Sequence, residues 1–181
     1  MGKDRKIDMV ILGLLSHEDL TGYDIKKQID EAIGFFWKGS FGSIYPALGE
    51  MEKAGQIKKL PDRSSGSREK IKYRITKDGK NALKEWLKEE QSSNDLKYET
   101  LLKLYFGGVE KPEVSIHNIE IFEEKIKADL NVLKWYKSNL GKVLDNNEHL
   151  HYYLTVTFGI DTYEAYLKWC ARSKKLLKER I

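Results

Sequence analysis

The sequence predicts a mainly α-helical protein of two domains. Residues 40–59 predict an amphipathic helix followed by a short strand, and residues 71–75 predict a second strand beyond a turn-rich segment. A helix followed by a basic two-stranded hairpin is typical of a winged helix-turn-helix. Beyond residue 112, apolar residues recur at steps of three, four and seven, which predicts long helices with a coiled-coil-like seam. The expected architecture is an N-terminal winged helix-turn-helix and a C-terminal all-α domain.

The helix within residues 40–59 has one apolar side and one polar side. Ile44, Leu48 and Met51 fall at positions i, i+4 and i+7, so they are expected to face a core. Ser40 and Ser43 are alternative N-caps for this helix. The opposite side carries small or flat polar groups, which can approach another surface closely; these are Ser43, Tyr45 and Gly49.

The remaining elements of the first domain follow from apolar spacing and caps. A first helix carries Ile7, Val10, Ile11, Leu14 and Leu15. Thr21 and Asp24 resemble a capping box that opens a second helix, whose apolar face is Ile25, Ile29, Ala32 and Ile33. Gly55 is expected to end the third helix in the left-handed region, and Thr76 to cap a fourth helix after the hairpin. Three helices, a two-stranded wing and a fourth helix fill residues 1–90.

The second predicted domain spans residues 95–181. After a polar linker, a short apolar helix ends at Gly107–Gly108. A long periodic run then carries Ile119, Phe122, Ile126, Leu130, Leu133, Leu140 and Val143. Residues 146–149 predict a turn before a last helix. Two helices of about thirty residues would each be about 45 Å long. Since a lone hairpin of that length cannot bury its whole apolar face, we expect dimerisation through identical helices.

Basic residues are concentrated in one segment. The 181-residue chain has a net charge of +4, whereas residues 53–77 hold nine basic and two acidic residues, a net charge of +7. Such a local excess suits a polyanion such as DNA. Arg63, Arg68 and Lys70 in the wing are therefore candidate phosphate contacts, against the alternative of an ordinary solvated hairpin.

Candidate contacts to bases and sugars lie on the predicted third helix. Tyr45 is suited to stacking on a sugar or donating to a phosphate, and Ser40 and Ser43 to donating to phosphates or bases. Thr21 and Tyr23, at the start of the second helix, are candidate phosphate contacts through backbone N–H groups. The alternatives are a core-edge position for Tyr45 and simple capping for Thr21.

Aromatic residues form a second candidate site, for a small-molecule effector. The selected positions are Trp37, Trp135, Tyr152, Phe158 and Trp169. If they line a pocket, a planar apolar ligand is favoured. The alternative is that they pack in the core or between subunits.

Other function classes receive no support from the sequence. No segment reaches the roughly 18 consecutive apolar residues of a membrane span, and the N-terminal apolar run is interrupted by Asp8, so a cytoplasmic protein is expected. The single Cys170 excludes an intramolecular disulfide. No metal-ligand, phosphate-loop or nucleophile motif is present, so neither an enzyme nor a cofactor is expected.

Four segments of the chain resemble the PadR family of bacterial transcriptional regulators. They are GSIYPALGEMEKAGQI (42–57), KYRITKDGKNAL (72–83), ILGLLSHEDLTGYDI (11–25) and FGIDTYEAYLKW (158–169). The long C-terminal part is similar to the long-tailed subfamily. The resemblance implies a homodimeric winged-helix repressor of double-stranded operator DNA, released by a small molecule or another signal. Founding members respond to phenolic acids and others to hydrophobic drugs, so the resemblance does not specify the effector.

Individual residues follow the resemblance to different degrees. Tyr45 matches the family's recognition-helix tyrosine, and Arg68 and Lys70 occupy the basic wing. Gly49 and Glu50 stand where many members carry a basic residue, which implies weaker phosphate contact from that turn. The competing hypothesis is a dimeric winged-helix module that binds another protein; it would expose apolar residues on the recognition helix.

Overall fold

The structure is a computed structural model that describes residues 5–37, 41–62, 70–90 and 98–181. The chain divides into two compact units, residues 1–93 and 94–181. Three of the candidate DNA contacts, Ser40, Arg63 and Arg68, lie outside the described residues. Within the described ranges, no helix combines the length and apolarity needed to cross a membrane.

The described part of the first unit contains four α-helices and three strands. The helices are α1 (Arg5–Leu15), α2 (Gly22–Gln28), α3 (Ile44–Lys53) and α4 (Lys77–Trp86). The strands are β1 (Leu20–Thr21), β2 (Ile57–Asp62) and β3 (Lys70–Ile75), which form an antiparallel sheet in the order β1-β3-β2. The predicted helix order and the β2–β3 hairpin are confirmed. The structure adds a third strand that the sequence did not indicate, because β1 pairs with β3 through Leu20 and Thr21.

One apolar core holds these elements together. Ile11 and Leu12 of α1, Ile25 of α2, and Leu48 and Met51 of α3 are almost completely buried. The predicted inward side of α3 is therefore confirmed. Because α3 is fixed along its whole apolar side, its opposite side is held in a defined orientation.

Local caps agree with the sequence in three places. The Thr21 side chain accepts the Asp24 N–H at 3.1 Å and the Asp24 carboxylate accepts the Thr21 N–H at 3.1 Å, which completes the capping box. Thr76 accepts the Gly79 N–H at 3.1 Å at the start of α4. Gly55 has a φ of 71°, as expected for a left-handed helix end.

The structure shows an unexpected turn after α2 and identifies the N-cap of α3. Residues Ile29–Ile33 form a π-helical turn in which the Gly34 N–H donates to the Ile29 carbonyl at 2.8 Å. The extra residue in this turn rotates the chain, so Ala32 is exposed rather than on the apolar face. A 3₁₀ turn, Phe41–Ser43, precedes α3, and Ser43 occupies the N-cap position without a side-chain capping bond.

The second unit consists of α5 (Glu99–Tyr105), a 3₁₀ turn (Gly107–Val109), α6 (Pro112–Leu140) and α7 (Asn147–Lys178). The two long helices have 29 and 32 residues, as predicted, and form an antiparallel hairpin. Buried side chains along their contact include Ile119, Ile126 and Leu133 of α6 and Ile160 of α7.

The predicted boundaries of this hairpin need two corrections. Val143 lies beyond the end of α6 rather than on it. The turn predicted at residues 146–149 lies earlier, at residues 141–146, because Asn146 caps α7 by accepting the Glu148 N–H at 2.8 Å. Asn146 therefore ends the connection, and His149 already belongs to the helix.

Candidate nucleic-acid interface

The outer side of α3 is polar and dominated by one aromatic side chain. Tyr45 is 65% exposed, although it follows the fully buried Ile44. Ser43 and Gly49, predicted on the same side, are partly buried. Helix α3 thus combines a core-facing apolar side with an outer tyrosine flanked by small residues. This arrangement can donate a hydroxyl proton or stack a ring against a closely approaching partner.

The start of α2 adds a second exposed tyrosine. Tyr23 is 69% exposed. The preceding Thr21 hydroxyl donates to the Asp24 carboxylate at 2.7 Å while accepting the Asp24 N–H. These bonds favour the capping interpretation for the Thr21 side chain, and its contact with DNA stays a prediction.

Helix α3 and the start of α2 meet at Tyr45. A Cβ atom placed on Gly22 would be 2.7 Å from Tyr45 Cε1 and 3.2 Å from Cζ. The ring of Tyr45 therefore lies against the backbone of Gly22, beside Tyr23 in the sequence. We call Gly22, Tyr23 and Tyr45 the tyrosine face. The structure thus places Tyr45 of α3 against the residue that precedes Tyr23 in α2.

The sheet has a basic outer face. Lys58 of β2 is directly opposite Arg74 of β3, and Leu60 is opposite Lys72. Residues that are directly paired in an antiparallel sheet point to the same side, so Lys58, Lys72 and Arg74 share one face. We call these three residues the basic sheet face. Ile57 and Ile75, which alternate with them, are buried in the core.

Acidic residues neutralise part of this positive charge. The Arg74 guanidinium donates from Nε to both Asp19 carboxylate oxygens, at 2.8 and 3.0 Å, and from Nη2 to Oδ2. This hydrogen bonding, together with the charges of Arg74, Lys72 and Lys58, lowers the pKa of Asp19. Lys59 forms a 2.6 Å ion pair with Glu52 of α3.

The candidate DNA contacts chosen from the sequence did not include Lys58, Lys72 or Arg74, which form the basic sheet face. Lys70, Lys72 and Arg74 alternate with apolar or aromatic residues, and this period of two marks one side of a strand. This spacing places Lys72 and Arg74 on the same side of the strand as Lys70. Lys70 itself is the first residue of β3, in register with Asp62.

The four predicted effector residues of the second unit do not form one cluster, and the fifth belongs to the first unit. Trp37 packs against the core of the first unit. Trp135 is 62% exposed and contacts Tyr136, Tyr152 contacts His149, and Phe158 is 67% exposed. A shallow groove at the end of α7 is lined by Ala171, Lys174, Lys175, Lys178 and Glu179, without any of these aromatics.

Trp169 belongs to a different aromatic cluster. Its ring centroid lies 6.3 Å from that of Phe122, and Phe122 contacts both Tyr98 and Tyr166 at 6.0 Å. The Tyr98 and Tyr166 hydroxyls are 2.7 Å apart. Burial, and then this hydrogen bond, raise the pKa of Tyr98, and burial raises the pKa of the adjoining Tyr163 to about 12. These phenols are therefore neutral at physiological pH. Tyr98 was not among the effector residues predicted from the sequence, because it lies outside the two long helices.

Two family models match the chain, one for each unit. The model described as the transcriptional regulator PadR-like family matches residues 11–85. The model described as virulence activator alpha C-term matches residues 96–178. By the first of these matches, the chain is similar to the PadR-like family of transcriptional regulators. The resemblance inferred from the four sequence segments is confirmed.

Several relatives of this PadR-like chain are characterised. The negative transcriptional regulator PadR of Bacillus subtilis (strain 168) is 28% identical over 174 residues, which cover 91% of this chain and 93% of that protein. The crystal structure of B. subtilis PadR in complex with operator DNA has a TM-score of 0.84 at 27% identity, covering 97% of this chain and 99% of the other. The B. subtilis PadR structure in complex with p-coumaric acid has a TM-score of 0.70 at 26% identity, covering 95% and 98%. The winged-helix fold class is thereby confirmed.

Proposed function

We propose that this PadR-like regulator is a homodimeric repressor that binds double-stranded operator DNA and leaves it when a small aromatic effector binds. A negative regulator and an operator complex among its relatives support the first part. The p-coumaric acid complex of a relative supports the second. A protein with this role has no catalytic function and would act in the cytoplasm, where bacterial DNA is located.

The observation that carries the proposal is the exposure of Tyr45 on an otherwise anchored α3. A module that binds another protein would be expected to present a contiguous apolar patch there. This helix instead presents a tyrosine between Ser43 and Gly49. A hydroxyl-bearing ring on a rigid helix suits contact with sugar, phosphate or a base edge in the major groove.

Affinity for DNA would come mainly from basic residues of the wing and of the basic sheet face. Arg74 and Lys59 are paired with Asp19 and Glu52, so their net contribution is reduced. Arg63, Arg68 and Lys70 in the wing, with Lys58 on the basic sheet face, are the proposed phosphate contacts. Counterion release from these contacts gives affinity without sequence specificity.

Exposed apolar side chains on the long helices support the dimer. Leu150, Leu154 and Phe158 follow one another at steps of four along α7, and all three are exposed. Ile121, Val132 and Trp135 are exposed on α6. A second copy packed on these positions by two-fold symmetry would bury them. It would also set the distance between the two N-terminal units, which we call the DNA-binding heads.

The proposal is tested by titrating wild-type protein and Tyr45→Ala against a duplex that the wild type selects from a random pool. Loss of one base or sugar contact from each head should weaken binding by about tenfold or more, with an unchanged thermal midpoint. The wild type should also lose affinity steeply between 50 and 200 mM salt. Equal affinities for the two proteins would refute the assignment of Tyr45, and indifference of the wild type to any duplex would refute DNA binding.

The effector is tested separately by tryptophan fluorescence. Trp135 and Trp169 are expected to report a planar aromatic ligand, and p-coumaric acid is the first probe because a relative binds it. An emission change that saturates, with release of the selected duplex at the same concentrations, would support effector control. No change across a panel of phenolic acids and larger aromatic compounds would favour the packing interpretation of these residues.

A further inference from the structure

Gly22 and Tyr45 are in unusually close contact. Gly22 is buried at the first position of α2, and the three heavy atoms nearest to an added Cβ are all from Tyr45. They are Cε1 at 2.7 Å, Cζ at 3.2 Å and the hydroxyl oxygen at 3.4 Å. The hydroxyl end of the Tyr45 side chain, rather than its Cβ, therefore packs against Gly22.

The backbone gives no other reason for a glycine at this position. Among the described residues, positive φ is found at Gly55 and not at Gly22. Alanine is a better helix former than glycine, so a substitution at Gly22 would favour α2 locally. What a side chain at this position would change is the place of the Tyr45 ring.

The displaced group is free to move without disturbing the core. Tyr45 is 65% exposed, and the atoms that meet the added Cβ are at the far end of its side chain. Rotation of the ring towards solvent therefore relieves the contact at little cost in stability. This rotation would instead change the orientation of the Tyr45 hydroxyl.

We propose that Gly22 is a positioning residue for DNA binding, because it holds the ring and hydroxyl of Tyr45 in the orientation that meets the operator. This inference rests on the proposed function. An exposed tyrosine on a helix samples several rotamers, and fixing one of them before binding lowers the entropy lost in the complex. The Thr21–Asp24 capping box fixes the backbone on which the ring rests.

A double-mutant cycle tests the proposal. Gly22→Ala, Tyr45→Ala and the double variant are titrated against the duplex that the wild type selects, and their thermal midpoints are measured. Gly13→Ala is the matched control, because it also adds a methyl group to a helical glycine. Beyond the adjoining backbone of its own helix, no heavy atom lies within 4 Å of the new Cβ.

We expect Gly22→Ala to weaken duplex binding by about tenfold, the loss of one ordered contact, without lowering the thermal midpoint. In the Tyr45→Ala background the same substitution should change affinity less than twofold, because the ring on which it acts is gone. Gly13→Ala should bind like the wild type.

Three other outcomes would refute the positioning role of Gly22. Wild-type affinity for Gly22→Ala would show that the ring needs no glycine beneath it. An equal loss in both backgrounds would mean that Gly22 acts independently of Tyr45. Unfolding of Gly22→Ala, whether or not Tyr45→Ala restores the fold, would make the contact structural. In all three cases the wild type still binds DNA, so the proposed function stands; a wild type that binds no duplex would refute both.

Discussion

The absence of a side chain at Gly79 allows α4 to pack closely against the rest of the first unit. A Cβ at this position would collide with the carbonyl oxygen of Gln56 and lie 2.9 Å from Ile75 Cγ1 and 3.0 Å from Leu12 Cδ2. Unlike the ring of Tyr45 above Gly22, these neighbours are backbone or buried core. They cannot move aside cheaply, because protein interiors are closely packed.

Gly79→Ala should therefore lower the free energy of unfolding by about 2 kcal/mol or more, as overpacking of a core does. Urea denaturation followed by circular dichroism measures this value. Gly13→Ala is the control, with open space around the new methyl group. Equal stability of the two variants would contradict the close approach of α4 to the Gln56 carbonyl and the core.

At the scale of elements, caps were predictable and strand β1 was not. Thr21, Gly55 and Thr76 act through residues a few positions away, so their roles are visible in a short stretch of sequence. Strand β1 has only two residues and exists because β3 pairs with it from more than fifty positions away. The π-helical turn at Ile29–Ile33 likewise leaves no periodic signal, because one inserted residue looks the same as ordinary helical spacing.

The Thr76 cap joins two elements and gives a prediction at this scale. Its hydroxyl accepts the Gly79 N–H and donates towards the carbonyls of Gly55 and Gln56, at 2.7 and 2.9 Å. Thr76→Ala should cost about 1 kcal/mol of stability, while Thr76→Ser should retain most of it. Chemical denaturation of both variants measures the difference. A serine variant as weak as the alanine variant would place the effect in the lost methyl group instead.

Helices α6 and α7 are linked by a largely buried ion pair. The Lys174 ammonium donates to the Glu123 carboxylate at 2.7 Å, and Lys127 lies 3.4 Å from the same oxygen. The hydrogen bond from Lys174 lowers the pKa of Glu123. A carboxyl group with a lowered folded-state pKa stabilises the fold above its unfolded value, near pH 4.3, and loses this contribution as the pH falls through the folded value.

Glu123→Gln should thus cost about 2 kcal/mol at pH 7, since it removes a charge-assisted hydrogen bond. The difference from the wild type should shrink as the pH is lowered from 5 towards 3. Thermal melts across this range measure it, with Glu99→Gln on α5 as a control that removes an exposed ion pair. A difference that does not depend on pH would show that charge is not its source.

At the scale of the whole molecule, the sequence was sufficient to predict a transcriptional regulator, whereas the arrangement of its candidate site needed the structure. The local charge excess and the polar side of α3 were sufficient to predict a DNA-binding head. The basic sheet face required the β2–β3 register, and the close approach of Tyr45 to Gly22 required the tertiary packing of two helices. Such pairings join residues that are far apart in the chain, so no window of sequence contains them.

Self-association is the prediction that belongs to the whole molecule. Phe158 is 67% exposed on α7, in line with Leu154. If a second copy covers this stripe, Phe158→Lys places a charge in an apolar interface, where its burial is strongly unfavourable. The variant should become a monomer at micromolar concentration, as measured by size exclusion with light scattering. Lys168→Ala, also exposed on α7, removes charge rather than apolar surface and should leave the dimer intact.

The monomeric variant should also lose operator affinity, although its DNA-binding head is unchanged. In a dimer, the second head binds at an effective concentration set by the connection between the two copies, which raises overall affinity by about 10² to 10⁴-fold. Phe158→Lys should forfeit most of this gain and show a shallower salt dependence, because fewer phosphates are neutralised per complex. A variant that remains folded by circular dichroism, becomes monomeric and still binds the selected duplex like the wild type would show that one head alone accounts for recognition.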